Sequence, residues 1–185
     1  MAQIIGSVLA DSVAAIKARH GEQGLEKIIK HLNGEAKLIF SSPIEAWKWY
    51  PLDAFVSFLD ADIKETANGD RRILVGRSMK VVEMQLRGDV SLIGDMDSPK
   101  YVINRIAVIH TAQFQGIQII PEIDDGPRAT IKYMGFEKHH EIFEWVLVGF
   151  YVKALEICGA KDVSAKFTIP ISEGAAYSEI ALSWS

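Results

Sequence analysis

"EKHHEIFEWVLVGFYVKALEIC", residues 137–158, is apolar around most of its circumference. Between Ile142 and Ile157 only Glu144, Lys153 and Glu156 carry a charge. A helix with no broad polar face belongs in the middle of a domain. Gly159 follows it as a natural C-terminal cap. On either side the hydrophobic period changes to two. Downstream, Val163, Ala165, Phe167, Ile169 and Ile171 alternate with polar residues, "SEGAAY" turns, and Ile180, Leu182 and Trp184 alternate on the return. Upstream, "GIQIIPEI" and "RATIKYM" are strands separated by the turn "DDGP". Strands late in the chain, interrupted by one buried helix, predict an α+β fold with an antiparallel sheet of about four strands. Helices packed on one face of such a sheet leave the other for solvent, a ligand or a second copy.

The chain before this region reads as helices. In "IIGSVLADSVAAIKARHG", Ile5, Val8, Leu9, Ser12, Val13 and Ile16 share a face, and Gly21 can close the helix. "EQGLEKIIKHL" is a second helix ending near Asn33–Gly34. Ser42 followed by Pro43 has the form of an N-cap with proline at the first helical position. Pro51 pushes Tyr50 towards an extended conformation and can open the helix "PLDAFVSFLDADIKE", with Asp53 in its first turn. A helix over about 71–91 follows the turn "NGD", with Ile73, Val75, Met79, Val82, Leu86 and Val90 among its apolar positions. Asp97–Ser98–Pro99 starts another, "KYVINRIAVIHTAQF", with Val102, Ile106, Ile109 and Phe114 on one side. No stretch is a linker, a repeat or low-complexity, which predicts a single domain over 1–185.

A chain of 185 residues with 49% hydrophobic and 24% charged residues can bury a substantial core. The net charge of −4 and the lack of any basic run beyond Arg71–Arg72 argue against a nucleic-acid surface. The single cysteine, Cys158, cannot form an internal disulfide, and no secretory leader or membrane-length apolar run is visible. The expectation is a cytoplasmic protein with no transmembrane segment.

Candidate sites are few. "WKWYPL", residues 47–52, concentrates half of the four tryptophans. Large rings between two helices close a core well, so the first reading is a core anchor. Trp47 and Trp49 are two apart, so in any one regular element they would not both face the same way unless the stretch is extended, and one of them is available to a partner. Trp47, Trp49 and Tyr50 are therefore the candidate interface. In "EKHHE", His140 and Glu144 lie one turn apart, but the second histidine of a His-Glu-x-x-His zinc motif is missing, and the expectation is no metal. Cys158 has no base or oxyanion donor in any local motif and reads as a core thiol. "DADIKETANGD" lacks calcium-loop spacing, and neither a phosphate loop nor Gly-x-Ser-x-Gly is present. No catalytic residue is assigned.

"WYPL" ahead of a helix, the junction "LEICGAKDV" and the last strand "YSEIALSW" resemble an uncharacterised family best known from myxobacteria. The C-terminal helix and hairpin are also similar to the superfamily of haem nitric-oxide/oxygen-binding (H-NOX) domains, 4-vinyl-reductase domains and transport-particle (TRAPP) subunits. The opening "IIGSVLADSVAAIKARHGEQGLEKI" is similar to the first helices of H-NOX domains. The resemblance implies an α+β domain able to enclose an apolar pocket. It also implies a haem-ligating histidine on the helix before the sheet, where this chain has His110. H-NOX domains grip the haem propionates with Tyr-x-Ser-x-Arg. The nearest match here is "YMGFE", with Gly135 for the serine and Glu137 for the arginine. A carboxylate there repels a propionate. The expectation is therefore no cofactor, with haem through His110 as the one route to it.

Two readings stay open. The first is a non-enzymatic ligand-binding or sensor domain in bacterial signalling, enclosing an apolar small molecule lined by Phe143, Leu147, Phe150 and Tyr151, with His110. The second is a homodimeric adaptor for signalling proteins with no bound ligand. A non-enzyme is expected in both.

Overall fold

The computed structural model describes residues 2–88 and 98–185, with side chains for all of these except 84–88. Val90 and Asp97, which the sequence assigns to helix positions, lie outside the described residues, as does the side chain of Leu86. The chain divides into two compact units. One comprises residues up to Arg71 with Gln113–Gly116, the other Arg72–Ala112 with Ile117–Ser185.

The first unit is built on strand β1, Gln3–Ile5, followed by helix α1, Gly6–Lys30. Helical spacing predicts Ile4 and Ile5 as the start of the helix; they belong to the strand instead. Ile4 is fully buried, held between Tyr50 of β2 (Trp49–Pro51) and Phe114 of β3 (Phe114–Gln115) in a small antiparallel sheet of order β2-β1-β3. The pairing also takes Phe114 out of the helix that the spacing predicts for it. Gly21, at φ 68° and ψ −178°, breaks α1 into the two helices the sequence shows.

No helix starts at Ser42–Pro43. The helix there is α2, Gly34–Phe40, and the segment after it runs as a loop. This loop caps α1. The carbonyls of Lys48 and Ala46 accept the N–H groups of Gly6 (2.8 Å) and Ser7 (2.9 Å). These are among the donors that the first turn of α1 cannot satisfy internally. Helix α3, Leu52–Ala67, begins directly after Pro51. Phe58 stacks on Phe40 of α2 with ring centres 3.9 Å apart. The carboxylate of Asp62, buried on α3, lies 3.7 Å from the Arg19 guanidinium of α1.

The second unit holds helix α4, Ile73–Gly88, helix α5, Pro99–Gln113, and four strands. These are β4, Gln118–Ile123, β5, Arg128–Met134, β6, Ser164–Ile169, and β7, Ser178–Ser183. They form the antiparallel four-stranded sheet that the alternating segments predict, in the order β4-β5-β7-β6. Helix α6, Phe143–Ile157, packs against both α4 and β6. It starts later than its apolar run, because Lys138–His140 form a separate 3-10 turn. The inward face of the sheet carries Ala129, Ile131, Tyr133, Ile180 and Leu182, all buried. The outward face is polar. Lys132 pairs with Glu122 across strands at 2.7 Å, and the Thr168 hydroxyl donates to the Glu179 carboxylate at 2.8 Å. Edge strand β4 contains Pro121, and β6 carries an irregularity between Phe167 and Ile169. Among the described residues no helix is long and apolar enough to cross a membrane.

Candidate functional site

Three elements of the second unit each send one polar group into a buried aromatic cluster. His110, in the last turn of α5, is 3% exposed. Its position follows from the helix period: Val102, Ile103, Ile106, Ala107 and His110 form the buried face. Tyr133 occupies an inward position of β5, and Tyr151 lies on the buried side of α6; both are fully buried. The Tyr133 hydroxyl is 3.2 Å from Nδ1 of His110 and 2.6 Å from the Tyr151 hydroxyl. Phe150 packs on the imidazole with ring centres 4.6 Å apart, and Tyr151 meets it edge-on at 5.9 Å.

This environment fixes the charge state. Burial pushes the His110 pKa down to about 4, so the imidazole is neutral at neutral pH. Burial also raises the Tyr133 phenol well above its usual value and pushes Tyr151 up. The cluster is therefore three uncharged groups joined by hydrogen bonds. A buried neutral imidazole is suited to bind a metal through one nitrogen while the other is anchored.

The structure brings together His110, Phe150 and Tyr151 of the sequence candidates. Phe143 joins the neighbouring ring cluster through Phe136, its centre 5.3 Å away, and Phe136 lies 5.6 Å from Tyr133. Leu147 is buried on the same helix. In the sequence Tyr133 stands out only as the first residue of an imperfect motif; its bond to His110 depends on the placement of β5 against α5, which no local pattern reveals. The rest of that motif has a local role. The Glu137 side chain accepts the His140 backbone N–H and His140 Nδ1 accepts that of Glu137, closing the 3-10 turn. Glu144 accepts the backbone N–H of Ser172 at 2.8 Å.

The aromatic stretch lies in the first unit. Tyr50 is buried, its hydroxyl accepting the N–H of Glu45 at 3.0 Å, whereas Trp47 is 74% exposed and Trp49 is half-buried.

No protein-family model matches the chain, and no curated protein matches it. Solved structures do. An H-NOX protein from S. oneidensis in the Fe(II)NO ligation state superposes with a TM-score of 0.75 at 12% identity, over 98% of this chain and 99% of that one. An Fe(II) unliganded H-NOX protein from K. algicida gives 0.69 at 12% identity, over 98% and 97%. The H-NOX domain from Shewanella oneidensis in the Fe(II)CO state gives 0.73 at 10% identity, over 98% and 99%. Of the sequence resemblances, these structures support the one to H-NOX domains. They also correct the expectation of no cofactor: neighbours solved with Fe(II) point to haem rather than to none. That expectation gave most weight to the missing propionate arginine and too little to the chemistry of His110. The α+β fold of this chain is the H-NOX fold.

Proposed function

We propose that this chain is a non-enzymatic sensor domain in signalling that holds haem through His110. The observation that carries the reading is His110 itself, a buried, neutral imidazole with Nδ1 anchored, on the helix before the sheet of an H-NOX fold. Its donor chemistry fits an axial iron ligand. Haem, when bound, supplies an iron that a small gas molecule can occupy. The protein's part is to keep the imidazole uncharged, to fix its ring plane through Tyr133, and to exclude water with Phe150 and Tyr151. Residues 135–137 supply no cation for a propionate, so haem bound here would be held by His110 and by apolar contact more than in a domain with the full motif.

The test is spectroscopic. Purified protein titrated with ferrous haem is expected to give a saturable Soret band at one haem per chain, and His110→Ala to lose it. A band that is absent, or the same in the variant, overturns the reading.

One observation favours a second reading. Trp47 stands out into solvent on its turn, and an exposed tryptophan is a common contact point between proteins. In that reading the chain is a homodimer joined near Trp47 and Trp49, with Tyr50 holding the loop from inside. Sedimentation of the wild type and of Trp47→Ala decides it: a dimer that the substitution dissociates supports it, and a monomer at high concentration ends it.

A further inference from the structure

We propose that Phe150 is the gate to His110. Of the rings of Tyr133, Tyr151 and Phe150 around the imidazole, it is the one that reaches solvent and can swing aside, so an incoming ligand displaces it first. The site is the one proposed to hold haem, but the gate does not rest on which ligand enters.

Neighbouring side chains on a helix point about 100° apart. Tyr151 faces the core and is fully buried, so Phe150 falls at the rim of that face and is half-buried. His110 behind it is 3% exposed. The Phe150 ring lies 4.6 Å from the imidazole and 6.1 Å from the Tyr151 ring, centre to centre. Tyr133 and Tyr151 cannot open this route. Their hydroxyls are 2.6 Å apart, and that of Tyr133 also meets His110. Turning either ring away leaves a buried hydroxyl without its partner. Phe150 has no polar atom to strand, and its exposed side gives it room to rotate.

The helix itself stays in place while the ring moves. Gly149, next to Phe150, has the Val75 backbone of α4 directly against it, and Ser78 of α4 donates to the Val146 carbonyl at 2.7 Å. Opening is therefore a change of side-chain rotamer on a pinned backbone. One aromatic contact is worth about a two- to tenfold shift in such an equilibrium. Phe150 makes two, so closure is expected to slow access to His110 by about tenfold or more.

The test needs no haem. Diethyl pyrocarbonate transfers an ethoxycarbonyl group to an accessible imidazole nitrogen, and peptide masses then locate it. The His110 imidazole is neutral at neutral pH, so its rate reports access rather than charge. His139, with 52% of its side chain exposed, is the internal reference. In the wild type His110 is expected to react far more slowly than His139. Phe150→Ala should speed His110 by about tenfold or more and leave His139 unchanged. Phe150→Leu should fall between the two, and it carries the comparison if the alanine variant does not fold. Leu155→Ala removes buried volume from the same helix and should leave His110 slow. A wild-type rate in both Phe150 variants, or an equal acceleration in Leu155→Ala, overturns the proposal. Ferrous haem mixed with each protein then reads the gate towards the proposed ligand. A Soret band that forms about tenfold faster in the open variant supports it, and equal rates overturn the gate for haem. If no band forms while the reagent pattern holds, the haem reading falls and the gate stands.

Discussion

Gly149 on α6 has no room for a side chain, because the backbone of Val75 on α4 lies directly against it. The two helices cross where one residue is reduced to hydrogen. Beside the crossing, the Ser78 hydroxyl of α4 donates to the Val146 carbonyl of α6 at 2.7 Å. Gly149→Ala drives a methyl group into the Val75 carbonyl and forces the helices apart. A loss of about 1–3 kcal/mol is expected from the strain, read as a lower midpoint in urea unfolding. A variant as stable as the wild type would mean the crossing is not fixed by this contact.

Ser78→Ala tests the same crossing by a different route. It removes a donor and leaves a helix carbonyl that already has its own backbone partner. The expected loss is about 1 kcal/mol, smaller than for the glycine. A larger effect than Gly149→Ala would reverse the order of importance of the two positions.

Stability should fall in mild acid because of His110. Its folded pKa of about 4 lies below the ordinary 6.5. Above 6.5 both folded and unfolded chains carry the neutral ring, and the group contributes nothing to pH dependence. Between 6.5 and 4 the unfolded chain takes up the proton that the folded one refuses. The unfolding free energy then declines, by about 3 kcal/mol over the window. His110→Leu is expected to flatten this part of the curve, measured by denaturant unfolding at a series of pH values.

At the alkaline end the phenols act. Burial holds Tyr133 and Tyr151 protonated past the ordinary value of 10.0. The unfolded chain gives up these protons first, so stability declines as pH rises above that value. Phenolate absorbance from the pair should therefore appear together with loss of the fold, and replacing both tyrosines with phenylalanine should remove that share of the absorbance. Early ionisation in the native protein would show that water reaches the cluster.

Trp47 and Tyr50, three residues apart, should behave in opposite ways. Tyr50→Ala opens a cavity beside Ile4 and releases the Glu45 N–H, at a cost of about 3 kcal/mol or more. Trp47→Ala should leave stability within about 0.5 kcal/mol. Thermal unfolding of both variants checks the pair.

The sequence was most legible where a period persists. The four strands of the second unit, the turn "DDGP" and the buried course of α6 follow from alternation and from apolar density. The strand at Gln3–Ile5 was hidden because three residues carry no period, and "IIGSVL" fits a helical spacing equally well; only pairing with Tyr50 and Phe114 marks it. The loop at 43–48 was hidden by Pro43, whose helix-starting geometry yields to the need to cap α1. His110 was visible as a histidine on the helix before the sheet. Its link to Tyr133 and Tyr151 was not, since three distant segments meet only through tertiary packing.

Both edges of the four-stranded sheet are poor templates for another chain. Pro121 removes an N–H from edge strand β4, and the irregularity at Phe167–Ile169 interrupts the regular ladder of β6. Aggregation by strand addition is thereby discouraged at the two edges that no other described strand pairs. A second domain fused after Ser185, or a crowded solution, should not recruit this sheet into a longer one, and any association between copies through it has to use side chains rather than a shared ladder.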